Sequence, residues 1–286
     1  MAAARTGVAA APSYAPATPT RRRPPLHSAA MTTAATEPPP IGTGTWVVLP
    51  TYDEAENLPG IAEAILAAAP GCILLVVDDG SPDGTGDIAD RMAAENPRVR
   101  VRHRPAKAGL GRAYLDGFRV ALDGGATSLV QMDADWSHDP SVLPALLAPI
   151  VEDRADLVIG SRYTKGGKVL DWGLGRRIVS RGGSIFARTV LRLKPHDLTG
   201  GFKAWRASTL AAVPFDGVHA GGYVFQIEMT YRASRAGARI AEVPITFQDR
   251  RVGRSKMSRK IIFEALFVVL RLRWDELRSR KLRRRR

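Results

Sequence analysis

The 286 residues suffice for one large domain or two small ones, and an apolar content of 45% is that of an ordinary globular protein. A single cysteine, Cys72, excludes an internal disulfide and fits a reducing compartment. The net charge of +14 is concentrated at one end: residues 250–286 hold 15 lysines and arginines against Glu264, Asp275 and Glu276, and the remainder is close to neutral. A basic tail of this kind suits nucleic acid, an anionic membrane surface or a solvated end.

Residues 1–43 are rich in Ala, Pro and Thr, with Arg21, Arg22 and Arg23 midway and Pro38, Pro39 and Pro40 near the end. Such a composition buries no core, so a disordered tail is expected. It lacks the continuous apolar stretch of a secretory signal, and Met31 is an alternative start. No run in the chain reaches the roughly 18–20 apolar residues of a membrane-spanning helix, so a soluble or peripheral protein is expected.

From Thr45 the pattern alternates. Strand-like runs at 46–49, 73–77, 99–101, 128–132 and 157–159 are separated by helical patterns at 54–69, 85–95, 110–123 and 140–152. This predicts βαβ units and a mostly parallel sheet covered on both faces, an α/β fold. Thr85 follows a Gly/Pro/Asp turn, and Asp139-Pro140 suits a cap with a first-turn proline. Beyond a Gly/Lys-rich loop at 164–175, helices are expected at 176–193 and 222–236 and a strand at 239–247.

Three acidic segments follow predicted strands: PTYDEAEN, DDGSPDGT and DADWS. In open α/β sheets ligands bind outside the carboxyl ends of the strands, where these loops would meet. In an extended segment Asp133 and Asp135 share a face, and two carboxylates on one side call for a divalent cation that also grips phosphates. Taken alone, a strand followed by an Asp-rich turn explains the same residues. Asp83 and Thr85 read as turn and cap, whereas Asp79 at a strand tip suits ribose hydroxyls or base N–H groups. Tyr52 offers a ring for base stacking, and Glu54 suits either a cap or a base contact. No P-loop or dinucleotide fingerprint is present, and Gly109-Leu110-Gly111 reads as a loop entering a helix.

The segments LPTYDEAENL, VVDDGSPDGT, MDADWSH, IGSRY, SRGGS, DLTGGFKAWR, GYVFQIEM, EVPITF and DR-x-x-G-x-SK occur in this order over residues 47–256. Together they resemble the dolichol-phosphate or polyprenol-phosphate mannosyltransferases, inverting enzymes of glycosyltransferase family 2 with a GT-A fold. The resemblance implies transfer of mannose from GDP-mannose to a polyprenyl monophosphate, in a single GT-A domain over 44–257. It implies that Pro50, Tyr52, Glu54, Val77 and Asp79 hold the guanosine. Asp133, Asp135 and the backbone at Ala134 would hold the diphosphate and a divalent metal, Mg²⁺ or Mn²⁺, with Ser137 a weaker ligand. Arg162, Arg176 and Ser180 would receive the acceptor phosphate, and Arg250 and Lys256 would close over the nucleotide. Asp135, Arg162 and Arg176 are the expected catalytic residues. A related transferase using UDP-glucose stays open, because the base-contact loop does not decide between donors.

The acceptor is already an anion at neutral pH, so no strong general base is needed. This agrees with the scattered contexts of His103, His138, His196 and His219, of which only His138 flanks the acidic loop. Asp197 suits a cap or an orienting group for the arginines; a structural role is favoured for it, as for Phe202 and Trp205. Residues 258–286 combine a short apolar helix, Ile261 to Leu272, with basic flanks, too short to cross about 30 Å of hydrocarbon. That suits a helix lying in the membrane interface, the alternative being a core helix with a solvated end. The expectation is a cytoplasmic protein peripheral to the membrane, with room for a membrane-embedded partner subunit. Nucleic acid is disfavoured because Trp274 is the one aromatic among the tail's arginines.

Overall fold

The computed structural model describes residues 38–219, 221–248 and 259–283. The Ala/Pro/Thr-rich tail, apart from its last residues, therefore lies outside the described residues, as do Arg250 and Lys256.

β1 (Thr45–Thr51), α1 (Leu58–Ala68), β2 (Ile73–Asp78), α2 (Thr85–Glu95), β3 (Val99–His103), α3 (Leu110–Asp123) and β4 (Ser128–Gln131) follow the predicted alternation. A 3₁₀ turn (Pro140–Val142), α4 (Leu143–Val151), β5 (Leu157–Ser161), β6 (Lys168–Val169) and α5 (Leu174–Leu191) come next. β7 (Lys203–Arg206), α6 (Ala207–Ala211), α7 (Gly222–Arg235), β8 (Ile240–Pro244), β9 (Thr246–Phe247) and α8 (Arg259–Arg283) complete the chain. The main sheet has the order β3-β2-β1-β4-β7-β5-β8, with β7 antiparallel to its neighbours and the other adjacent pairs parallel.

The inner strands β1, β2, β4 and β5 are buried on both faces, which accounts for their nearly unbroken apolar runs. Val47, Leu49, Leu74 and Val76 pack with Ile61, Ile65 and Leu146 from α1 and α4. Val48, Leu75 and Val77 point the other way, against Tyr114, Phe118, Phe225 and Met229 from α3 and α7. From β1 the chain passes to β2 and β3 on one side, then returns to β4 on the other. The loops after β1 and β4 therefore diverge and leave a crevice at the switch point.

Helix starts follow local chemistry. Asp139 Oδ1 accepts from the Ser141 amide at 2.9 Å, and Asp83 Oδ1 from the Thr85 amide at 3.1 Å. Gly109 takes φ 98° immediately before α3, a conformation open to glycine, so the Gly-Leu-Gly segment is a helix entry.

β7 was not anticipated. It is four residues long and carries a fully buried lysine. Lys203 Nζ donates to the Gln226 carbonyl at 2.8 Å, to Gln226 Oε1 at 3.1 Å and to Thr230 Oγ1 at 2.9 Å. Gln226 Oε1 also accepts from Gln131 Nε2 at 2.8 Å, and Trp205 Nε1 donates to Gln131 Oε1 at 3.1 Å. The network ties β4, β7 and α7 behind the crevice, with Phe202 and Trp205 as core residues.

Burial pushes the Lys203 amine down to about 7, against the opposing pull of Asp197. The unfolded side chain titrates near 10.4. Between about 7 and 10.4 the native chain therefore binds fewer protons than the unfolded one, and stability from this group rises with pH. The penalty of the buried amine is full below about 7 and fades toward pH 10. In urea unfolding, the stability of wild type relative to Lys203→Met is expected to grow from pH 7 to pH 9; an identical difference at both would contradict this titration.

Candidate active site

The first two acidic loops are stitched together at the ends of β1 and β2. Asp78 accepts from Thr51 Oγ1 at 3.1 Å and from Ser81 Oγ at 2.5 Å, so it is a loop brace. Asp83 Oδ2 accepts from the Ala55 amide at 3.0 Å. The Glu54 amide donates to Thr85 Oγ1 at 3.0 Å, and Glu54 Oε2 accepts from Asn57 Nδ2 at 2.8 Å at the entry to α1. Pro50 and Val77 are in register on adjacent strands, and the Val77 side chain is in the core.

Asp79 is paired with Arg104, whose Nε also lies 3.7 Å from Asp116 Oδ2. Lys107 Nζ stands 3.2 Å from the centroid of the Tyr52 ring, over the face offered for stacking. The sequence reading missed both cations. Their signal was position: they follow β3, a third strand end opening on the same rim.

The DADWS segment is a loop, since β4 ends at Gln131, two residues before Asp133. Shared side-chain direction on a strand therefore does not bring the two aspartates together; individual hydrogen bonds hold them. Asp133 Oδ1 accepts from the Tyr114 hydroxyl at 2.7 Å, and the Asp133 amide donates to His138 Nδ1 at 3.2 Å. Asp135 Oδ1 accepts from the Ser137 amide at 3.1 Å, and Trp136 turns the loop at φ 62°. Ser137 and Ala134 are buried with it.

Burial, then the Asp133 charge, raises the Tyr114 phenol well above its ordinary value, so it remains a donor. Burial lowers the His138 imidazole although both aspartates pull it up. Neutral His138 is buried, stacks on Phe202 at 5.0 Å and braces the acidic loop it flanks. The other three histidines among the described residues each face a carboxylate: His103 with Asp90, His196 with Glu242 and His219 with Glu228.

Among the described residues no group of three or more His, Cys, Asp or Glu side chains could hold a metal. Two hard carboxylates on one loop nevertheless match a cation that takes its remaining ligands from substrate phosphates. Asp133 Oδ2, the carboxylate oxygen that does not face Tyr114, lies beside Gly201, where a Cβ would stand 3.4 Å from it in ordinary contact.

Farther along the rim stands Arg162, directly after β5 and only 3% exposed in its side chain. Its Nε donates to Asp197 Oδ2 and its Nη2 to Asp197 Oδ1, both at 2.7 Å, and Nη2 also reaches Thr199 Oγ1 at 2.8 Å. Burial opposes ionisation of Asp197, but the Arg162 charge and hydrogen bonds outweigh it and hold the carboxyl below its usual range. Asp197 thus orients Arg162, the alternative to the structural role favoured for it in the sequence. Tyr163, on whose ring Arg162 also bears at 5.1 Å, donates from its hydroxyl to Ser180 Oγ at 2.7 Å. Arg176 is half-buried with its guanidinium carbon 4.0 Å from the Trp172 ring centroid. Arg162, Arg176 and Ser180 are therefore brought together around Tyr163 and Trp172. Trp172 carried no signal in the sequence beyond its place in a glycine-rich loop.

A mostly parallel sheet with acidic loops at its switch point and arginines on the same rim defines a GT-A-type transferase. The model of the family described as "Glycosyl transferase family 2" matches residues 46–213. An undecaprenyl-phosphate mannosyltransferase of Micrococcus luteus is 49% identical over 237 residues, 82% of this chain and 97% of the relative. A polyprenol monophosphomannose synthase of Mycolicibacterium smegmatis is 48% identical over 226 residues, 79% of this chain and 85% of the relative. Among solved structures, glucosyl-3-phosphoglycerate synthase from Mycobacterium tuberculosis with Mn²⁺, uridine diphosphate and phosphoglyceric acid shares the fold at a TM-score of 0.59 and 22% identity. That match covers 80% of this chain and 78% of the other. The chain belongs to glycosyl transferase family 2, and it is a glycosyltransferase.

Removing one partner of a buried ion pair strands the other charge. Asp197→Ala is expected to lower the unfolding free energy by about 3–5 kcal/mol, and adding Arg162→Met should recover most of it. Denaturant titration of both variants measures this, and full additivity of the two losses would contradict the pairing.

Proposed function

We propose that the protein transfers mannose from GDP-mannose to a polyprenyl monophosphate with inversion, giving β-mannosyl phosphoryl polyprenol. The observation that carries this reading is near-half identity, over about four fifths of the chain, to two relatives named for mannosyl transfer to polyprenyl phosphates. Pro50, Tyr52, Glu54, Asp79 and the Val77 main chain receive the guanosine. Asp133 and Asp135, with Ala134 and Ser137 beside them, would hold Mg²⁺ or Mn²⁺. Bound there, the cation would neutralise charge on the departing diphosphate. Arg250 and Lys256 stay assigned to the nucleotide by resemblance.

Arg162, Arg176 and Ser180 take the acceptor phosphate, for which planar guanidinium groups give two-point contacts. Its second pKa lies near 6, so the attacking oxygen needs no proton removed at neutral pH. A neutral His138 already engaged with the Asp133 amide agrees with chemistry that has no general base. Asp135→Ala and Arg176→Ala are each expected to lower transfer about 100-fold. Radiolabel transfer with GDP-mannose and UDP-glucose, with and without Mg²⁺, tests this; equal use of UDP-glucose would favour the alternative donor.

The acceptor's chain asks for a lipid surface. No described helix is long and apolar enough to cross a membrane. On α5, Ser180 and Ser184 face inward while Leu174, Ile178 and Ile185 are exposed. On α8, which packs against α5 and α7, Phe263, Phe267, Leu270, Trp274 and Leu277 are exposed at spacings of four and three. With exposed Arg271 and Arg278 nearby, this suits a peripheral protein on the anionic cytoplasmic face of a membrane. A membrane-embedded partner subunit is compatible with that placement and not required by it. Because Val268 and Val269 of α8 are buried, substitution tests the surface better than truncation. Phe267→Ser with Trp274→Ser is expected to lower cosedimentation with anionic vesicles several-fold; unchanged binding would remove the membrane from this reading.

A further inference from the structure

The loop between β6 and α5 carries a buried polar atom that nothing among the described residues satisfies. Trp172 is 5% exposed, and its indole Nε1 has no hydrogen-bond partner there. An indole N–H donates and cannot accept. Buried without a partner, it carries a standing cost that phenylalanine in the same place would avoid. The ring itself is firmly held. Phe247 meets it edge-on at 5.3 Å, and the guanidinium carbons of Arg176 and Arg162 lie 4.0 and 5.4 Å from its centroid.

A donor short of an acceptor, next to two cations, is an environment for an anion. We propose that the Trp172 N–H donates to a phosphate oxygen of the polyprenyl monophosphate acceptor, as the uncharged member of a donor set with Arg162 and Arg176. This rests on the acceptor assigned above. The acceptor is favoured over the donor diphosphate by place: Trp172 leads into α5, which supplies Arg176 and Ser180, whereas the aspartates belong to the loop after β4. A neutral donor orients the phosphate while drawing less electron density from the attacking oxygen than a third cation would. The indole face in turn supports the Arg176 guanidinium, an arrangement that survives loss of the N–H but not of the ring.

Calorimetric titration of the full chain with farnesyl monophosphate and, separately, with GDP tests the assignment, using wild type, Trp172→Phe and Trp172→Leu. Trp172→Phe, which keeps the ring, is expected to weaken farnesyl monophosphate roughly tenfold and leave GDP unchanged. In transfer assays it should raise the acceptor KM and leave the donor KM unmoved. Trp172→Leu should weaken farnesyl monophosphate further. Should the leucine variant fail to fold, the phenylalanine variant decides alone. Wild-type affinity for farnesyl monophosphate in a Trp172→Phe protein of unchanged melting temperature would overturn the proposal, as would weakening confined to GDP. Wild type that binds GDP and not farnesyl monophosphate would bring down the acceptor assignment as well.

Discussion

A guanidinium taken into a protein interior needs a counter-ion that is itself held, and at this rim Asp197 meets that need for Arg162. The carboxylate is fixed from several sides: its residue's amide donates to Glu242 Oε1 on β8 at 3.0 Å, and the Gly200 amide donates to Asp197 Oδ1 at 3.0 Å. Two parallel contacts then set the plane of the Arg162 fork. The antiparallel insertion of β7 makes this possible, since it returns the 197–202 loop to the rim on which β5 ends. Had β7 run parallel, that loop would lie at the opposite edge and Arg162 would be a buried charge without a partner.

The electrostatics of the crevice follow from the same logic of held charge. Acidic groups cluster after β1, β2 and β4, and cationic groups after β3 and β5. Neighbouring titratable groups are kept neutral by burial: the Tyr114 phenol is raised and the His138 imidazole lowered. Each is used as a brace for Asp133, one at the carboxylate and one at the amide. The rim thus carries a buried guanidinium at one end and a braced acidic loop at the other.

The alternation of strands and helices up to β5 was legible because each element carries its own periodicity. The acidic loops were legible because three of them follow strands. Legibility failed where the determinant was tertiary. β7 has four residues and a buried lysine, and it is a strand because β4 and β5 flank it and α7 satisfies its amine. The two aspartates were read as sharing a strand face, whereas a phenol, an imidazole and a loop amide hold them. Tyr114 sits on the apolar stripe of α3, where nothing in the sequence separates a hydroxyl aimed at a carboxylate from ordinary core. Trp172, Arg104 and Lys107 lie in segments without periodicity, and only the folded chain brings them to the rim.

A surface helix usually turns apolar residues inward and polar ones out; α8 buries Val268 and Val269 but also leaves large apolar side chains exposed. Its inner side includes Glu276, paired with Arg235 at 3.0 Å and Arg273 at 2.7 Å, and Leu272, whose carbonyl accepts from the Tyr231 hydroxyl at 3.3 Å. Its exposed residues include Phe263, Phe267, Leu270, Trp274 and Leu277, interleaved with Glu264, Arg271, Asp275 and Arg278. Burying an ion pair while exposing phenylalanine and tryptophan is costly in water, at about 25 cal/mol for each Å² of apolar surface left wet. The pattern becomes favourable only when something apolar covers the outer face. α5 behaves likewise, because a single helix turns Ser180 inward, toward Tyr163 and Thr199, and Leu174 and Ile178 outward. A substrate with an anionic head and a hydrocarbon tail matches that helix on both of its sides.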